Sequence, residues 1–145
     1  MTVTFFGHRD APPTVEPYLR KAILHQAEQG STLFLVGNEG LFDRMAAKIL
    51  QQLCAENQAL HYYVVLAYLP KEDFEHPTLF PEGLEKAPRR FAISARNRWM
   101  LERSDAVIVY APYVGNARAW KEAALKKGRV VTELIVPIDK NETEN

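Results

Sequence analysis

The stretch Ser31–Leu50, STLFLVGNEGLFDRMAAKIL, decides how this chain folds. Its first part, STLFLVG, is nearly continuous in apolar residues, as a strand covered on both faces must be. Beyond the bend at Gly37–Gly40 the apolar period becomes helical. Leu41, Phe42, Met45, Ala46, Ile49, Leu50 and Leu53 form one stripe of a helix from about Leu41 to Glu56. The next apolar run, HYYVVLAYL at His61–Leu69, supplies a further strand. A strand, a helix and a strand in this order make a right-handed crossover between parallel strands.

The same alternation extends in both directions. Upstream, Val3–Phe6 reads as a short buried strand, and Pro12 and Pro13 then break the chain. Thr14 is expected to cap a helix over Val15–Gln29, with Tyr18, Leu19, Ala22, Ile23 and Ala27 on one face and Gly30 at its end. Downstream, RFAISARNRWMLERS reads as a helix, DAVIVYA as a strand, NARAWKEAALKKG as a helix and RVVTELIV as a strand. The fold class is therefore α/β: a Rossmann-like three-layer α/β/α domain with a mainly parallel five-stranded sheet, order 3-2-1-4-5. Residues 1–138 read as one such domain and residues 139–145 as a polar C-terminal tail. A Pro-rich excursion over residues 70–90, with Pro70, Pro77, Pro81 and Pro88, interrupts the rhythm and is a candidate lid or subunit contact.

Bulk properties narrow the function. Eighteen basic and eighteen acidic residues cancel, whereas a general nucleic-acid binder carries an excess of Lys and Arg, so nucleic acid is not the expected partner. No apolar run approaches the roughly 20 residues that cross a bilayer, and no basic segment leads into an apolar signal core. The chain thus reads as cytoplasmic and not membrane-bound, and assembly with identical copies stays open. Cys54 is the single cysteine and, at helical spacing with Leu50 and Leu53, reads as an inert thiol. His25, His61 and His76 are scattered, with no metal-ligand spacing, and no metal or cofactor is expected. The chain contains no G-x-G-x-x-G, no Walker-type loop and no G-x-S-x-G elbow.

In a doubly wound sheet, ligands bind beyond the carboxyl ends of the strands. That rule selects the loops GHRD, GNEGLFD and APYVGNA. Glycines there permit close backbone approach, and a helix N-terminus offers unpaired N–H groups to an anion. The same glycines also suit a plain tight turn. In the first loop, Arg9 presents a planar fork suited to phosphate, and His8 is either a hydrogen-bonding or proton-carrying group or a histidine tied to a neighbouring carbonyl. Asp43, in the first turn of its helix, either answers the helix dipole or accepts from ribose hydroxyls. Glu39 is a general base or a solvated loop carboxylate. Arg96, Asn97 and Arg98 are consecutive on a helix, so all three cannot face one way. Asparagine is slightly disfavoured inside a helix, so one arginine together with Asn97 is expected to serve a site.

In order along the chain, TFFGHRD, FLVGNEGLFDRMA, VVLAYLP, LFPEGLE, PRRFAISARNRWM and SDAVIVYAPYVGNA resemble the small YpsA-like proteins of the SLOG superfamily. That superfamily also holds the Lonely Guy phosphoribohydrolases and the DNA-processing Smf proteins. The resemblance runs from about Thr2 to Val131 and implies a Rossmann-like fold with a pocket for nucleotides or nucleotide-derived ligands. The pocket it implies is lined by Gly7, His8, Arg9, Gly37, Asn38, Gly40, Asp43, Arg96, Asn97, Arg98, Gly115 and Asn116. Where relatives show W-G-G-A, this chain has Val114, Gly115, Asn116 and Ala117, so Asn116 stands in place of a glycine. Against the Lonely Guy motif G-G-x-G-T-x-x-E the matching stretch is GNARAWKE, which sets Glu122 at the catalytic carboxylate's place but lacks the second-half glycine and threonine.

The leading expectation is a binding module for a nucleotide or nucleotide-like small molecule. The alternative is a hydrolase acting on a nucleotide or N-glycosidic bond, with Glu39, Asp43 or Glu122 as acid or base. A DNA-processing accessory protein ranks third.

Overall fold

A computed structural model describes residues 1–69 and 75–137. β1 (Thr2–Gly7) leads through a 3-10 turn (Pro13–Val15) into α1 (Glu16–Glu28). β2 (Leu33–Val36), α2 (Leu41–Glu56) and β3 (His61–Val65) follow, then a two-residue strand, β4 (Thr78–Leu79). Two further 3-10 turns, Leu84–Lys86 and Arg89–Phe91, precede α3 (Ala92–Glu102). β5 (Ala106–Tyr110), α4 (Asn116–Lys126) and β6 (Val130–Glu133) complete the order.

All the strands join one sheet, in the order β4-β3-β2-β1-β5-β6, and every adjacent pair is parallel. The expected five-strand order is present within it, with a sixth strand added outside β3. That strand lies in the Pro-rich stretch read as an irregular excursion. There the Val64 N–H donates to Pro77 O and the Leu66 N–H to Leu79 O, each at 2.8 Å. Two residues carry no periodicity, and a proline at the start of an edge strand costs no ladder bond. Thr78–Leu79, within the excursion, thus builds a sheet edge. Residues 70–74, and the polar tail at 139–145, lie outside the described residues.

Alternation along the strands fills two cores. Phe5, Phe34, Val36, Val64 and Ile108 face α1 and α2, meeting Leu19, Ile23, Phe42, Ile49 and Leu50. Phe6, Leu35, Val65, Val107 and Val109 face α3 and α4, meeting Met100, Leu101, Ala117 and Ala124. The central strands are therefore apolar on both sides, as their sequences require. Thr4 is the polar exception within β1, fully buried, and its hydroxyl donates to Leu35 O at 2.8 Å. Cys54 packs partly buried against the first core, and burial raises its thiol pKa, which disfavours the thiolate.

The start of α1 differs from expectation. Thr14 sits inside the 3-10 turn and makes no capping hydrogen bond; Pro12 and Pro13 set the entry geometry instead. Tyr18, expected on the inner face, is 39% exposed, while Gln26 is buried, its Oε1 accepting from the Ser31 hydroxyl at 3.3 Å.

Candidate functional site

The sheet delivers the three selected loops to one place. β1 pairs with both β2 and β5, so its carboxyl end lies between theirs. The loops then bond to each other. Leu41 N–H donates to Arg9 O at 2.8 Å and His8 N–H to Tyr110 O at 3.2 Å. His8 lies buried beneath Tyr113, the two rings parallel within 2° at 3.8 Å. Its Nε2 is 3.0 Å from Tyr113 O. The Tyr113 hydroxyl donates to Asp10, which pushes its pKa up to about 12.

Glycine is required here mainly by packing. A Cβ on Gly37 would come 2.9 Å from Asp43 Oδ2 and 3.0 Å from Arg96 Cζ. Gly40 has φ +92°, and a Cβ there would lie 2.6 Å from Arg9 Cα, so the bend and the contact between loops both need it. Gly115 is extended and needs no special conformation; a Cβ would meet His8 Cε1 at 3.1 Å.

Arg96 is the central group. Only 1% exposed, it donates through Nε to Asn97 Oδ1 at 2.8 Å and through Nη1 to Asn38 Oδ1 at 3.1 Å and Val65 O at 3.0 Å. The structure thus supplies the hydrogen-bonding reason for an asparagine at 97 inside a helix. Arg98, two positions further on, is exposed and does not join the cluster. Burial lowers the Arg96 pKa, and Asp43 and Glu39 oppose that shift.

Asp43 is buried too, and its Oδ2 accepts from Glu39 N–H at 2.9 Å. Burial raises its pKa to about 6, against the lowering effects of that hydrogen bond and of Arg96. Among the described residues no ion pair within 4 Å joins Asp43 to Arg96; the guanidinium acts on the carboxylate at longer range. Since the ordinary aspartate value is 3.8, the folded state holds the proton more tightly than the unfolded one between about 4 and 6. Stability contributed by this group is present below that window and is lost as pH rises through it. Comparing the wild type with Asp43→Asn by urea unfolding should show the wild type losing ground to the variant from about pH 4 to pH 6. A pH-independent difference would mean that Asp43 ionises normally.

Around these groups lies a crevice of about 130 Å³, lined by Gly7, Arg9, Glu39, Asp43, Arg96, Asn97 and Asn116, with Phe6, Ile93, Ala117 and Trp120 as apolar walls. Trp120 stacks on Phe6 at 5.4 Å. Arg9 is largely exposed and stands 3.9 Å from Glu39. At the start of α2 and in the bend before it two amides are already engaged, Leu41 by Arg9 O and Glu39 by the Asp43 carboxylate. At α4 the first intrahelical bond is Ala119 N–H to Gly115 O, which leaves the preceding amides without helical acceptors. An anion therefore finds free donors at Asn116 and Ala117. Glu122 is exposed and does not line the crevice. Among the described residues, no group of three His, Cys, Asp or Glu could hold a metal ion, and no helix is long and apolar enough to cross a membrane.

With 91% of its length aligned, the chain superposes on DNA processing protein A from Streptococcus pneumoniae with a TM-score of 0.69 and 21% identity. The chain has that protein's fold. It spans about half of the longer protein, 49% of whose length is covered. No protein-family model matches the sequence, and no curated protein matches it. What the shared fold contributes is the scaffold, a parallel α/β sheet with the expected loops at its carboxyl end.

Sequence reasoning missed Tyr113 and Trp120, the ring over His8 and the ring that walls the crevice. Tyr113 lies within the APYVGNA loop, but nothing in a single sequence sets its ring on His8. Trp120 was recoverable: it follows Asn116 and Ala117 by one helical turn and so shares their face.

Proposed function

We propose that this chain is a YpsA-like member of the SLOG superfamily that binds a nucleotide or nucleotide-derived small molecule in the crevice between β1, the start of α2, α3 and α4. The observation that carries this reading is the hydrogen bonding of the GHRD loop to both of the other loops, beside a buried Arg96 that bonds Asn38. The ligand's phosphate would lie at the α4 N-terminus, where unpaired amides and the helix dipole favour an anion, with Arg9 closing over it. Asn97 and Asp43, which line the crevice, would meet sugar hydroxyls. A crevice of about 130 Å³ admits a phosphate and part of a sugar, so the base projects towards the rim.

A panel of nucleotides screened by thermal shift tests this, since a ligand bound only by the folded state stabilises it. Two variants give the screen its force. Arg9→Ala should weaken the best ligand roughly tenfold, the worth of one charge-assisted hydrogen bond. Asn116→Asp should act in opposite directions: its carboxylate favours the free α4 N-terminus by about 0.3–1 kcal/mol yet repels a bound phosphate. A panel without any stabilising nucleotide, or affinity indifferent to both substitutions, defeats the reading.

A second reading has one observation in its favour. The charge balance argues against nucleic acid, but the fold is shared with a protein named for DNA processing. Retention of single-stranded oligonucleotides that falls steeply with salt, without a mononucleotide response, would establish it in place of the first. A hydrolase remains the alternative for the same crevice, now with Glu39 and Asp43 as its carboxylates. Free base or phosphate accumulating on prolonged incubation with the bound nucleotide would establish it.

A further inference from the structure

Beside the crevice, on the other side of Asp43, α2 and β3 border a cleft of about 700 Å³. One row along α2 brings Asp43, Ala47 and Gln51 into it, and the adjoining row brings Arg44 and Lys48. Val64 of β3 gives it an apolar back, and His76 and Glu75 stand opposite the helix. The His76 ring is held in place, its Nδ1 2.7 Å from the Tyr62 hydroxyl. Nothing in the reading of the crevice uses Arg44, Lys48, Gln51 or His76.

We propose that this cleft is a second binding site, for a phosphate monoester of a polyhydroxylated small molecule. Its volume falls within the roughly 300–1,000 Å³ typical of small-ligand pockets, which the crevice alone does not reach. Arg44 and Lys48, one turn apart on an exposed row of α2, form a two-cation seat for the phosphate. Beside them, Asn38, Gln51 and the Asp43 carboxylate offer the mixture of donors and acceptors that hydroxyl groups need. Ala47 and Val64 are small enough to leave room and apolar enough to take the C–H face of a sugar ring. Glu75 on the facing side disfavours a second anionic group, so the ligand carries its phosphate at the Arg44 end only. A free sugar phosphate and a nucleoside monophosphate share this chemistry. The site does not depend on the crevice being occupied.

Histidine ring signals in the intact protein distinguish the two compartments. His76 lines the cleft, whereas His8 lies in the loop cluster under Tyr113. Ribose 5-phosphate and adenosine 5′-monophosphate are the probes, each titrated to about 10 mM. A saturable shift at His76 is expected, from both probes if the sugar phosphate suffices and from the nucleotide alone if the base is needed. In Arg44→Glu/Lys48→Glu the binding should weaken by roughly tenfold or more, because both cations become anions. Both positions are exposed, so the fold should survive; Arg44→Ala/Lys48→Ala serves as the milder pair if it does not. No response at His76, a response only at His8, or affinity unchanged in the charge variants would overturn the proposal. Failure at His76 leaves the crevice reading standing, because His8 reports it separately.

Discussion

Replacing Arg96 by leucine should destabilise the fold by on the order of 3–5 kcal/mol, whereas Arg98→Leu, two residues along the same helix, should change it by about 0.5 kcal/mol or less. The contrast follows from what each guanidinium touches. Arg98 is exposed. Arg96 is buried and holds together three segments through Asn97, Asn38 and the last carbonyl of β3, that of Val65. Leucine fills much of the volume but leaves those acceptors without their donor in a region where water cannot fully replace it. Arg96→Lys should fall between the two, because lysine keeps the charge but has no planar fork to reach several acceptors at once. The loss should also depend on pH. Arg96 lowers the pKa of Asp43, so its removal makes the ionised carboxylate harder to keep buried. Near pH 4 Asp43 is protonated in both proteins, and the gap between wild type and Arg96→Leu should be smaller than at pH 8. Urea unfolding at the two pH values reads this directly. A loss for Arg96→Leu below about 1 kcal/mol, or one equal to that of Arg98→Leu, would show that the guanidinium does not organise the site.

Arg96 also shows where sequence reading succeeds and where it stops. Helix geometry establishes that Arg96, Asn97 and Arg98 must diverge, but only the phase of α3 against the sheet decides which arginine goes inward. Met100 and Leu101 both bury, and Arg96, one turn before Met100, follows them in. The central strands were legible because burial on both faces imposes an apolar run: Phe5 and Phe6 are consecutive, face opposite cores and are both buried. Thr78–Leu79 was not, because its strand character comes from β3's open edge and not from its own residues. Thr14 failed as a cap because two prolines had already fixed the chain's entry to α1. The Gly37–Gly40 bend lies against Asp43, Arg96 and Arg9, and the protein itself takes up two of the amides there. The Asp43 carboxylate accepts from Glu39 and Arg9 O from Leu41, and the second pairing, between distant segments, leaves no local mark in sequence. Arg44 and Lys48 went unread for the opposite reason: attention to the apolar stripe of α2 passes over the polar rows beside it.

Gly7→Ala should have an effect of comparable size from a single methyl group, about 3 kcal/mol or more, at the upper end of what overpacking a core costs. A Cβ at this position would fall inside the van der Waals envelope of the Phe42 ring. Phe42 has no free direction of escape: it is fully buried, and its ring lies against that of Tyr110 at 6.2 Å and 16°. Either the ring leaves a favoured rotamer or the end of β1 separates from the first turn of α2. The second response carries the loop with it, because Leu41, directly before Phe42, holds Arg9 O. Gly7 therefore acts on any ligand through packing, without needing to touch it. Phe42→Leu distinguishes this account from a requirement for close ligand approach at Gly7. If the ring is the obstacle, Gly7→Ala/Phe42→Leu should be more stable than the sum of the two single changes predicts, with a coupling of about 1–3 kcal/mol between directly contacting residues. The double variant should also regain part of the nucleotide-induced thermal shift that Gly7→Ala loses. Strict additivity of the two changes would mean that glycine at position 7 answers to something other than Phe42.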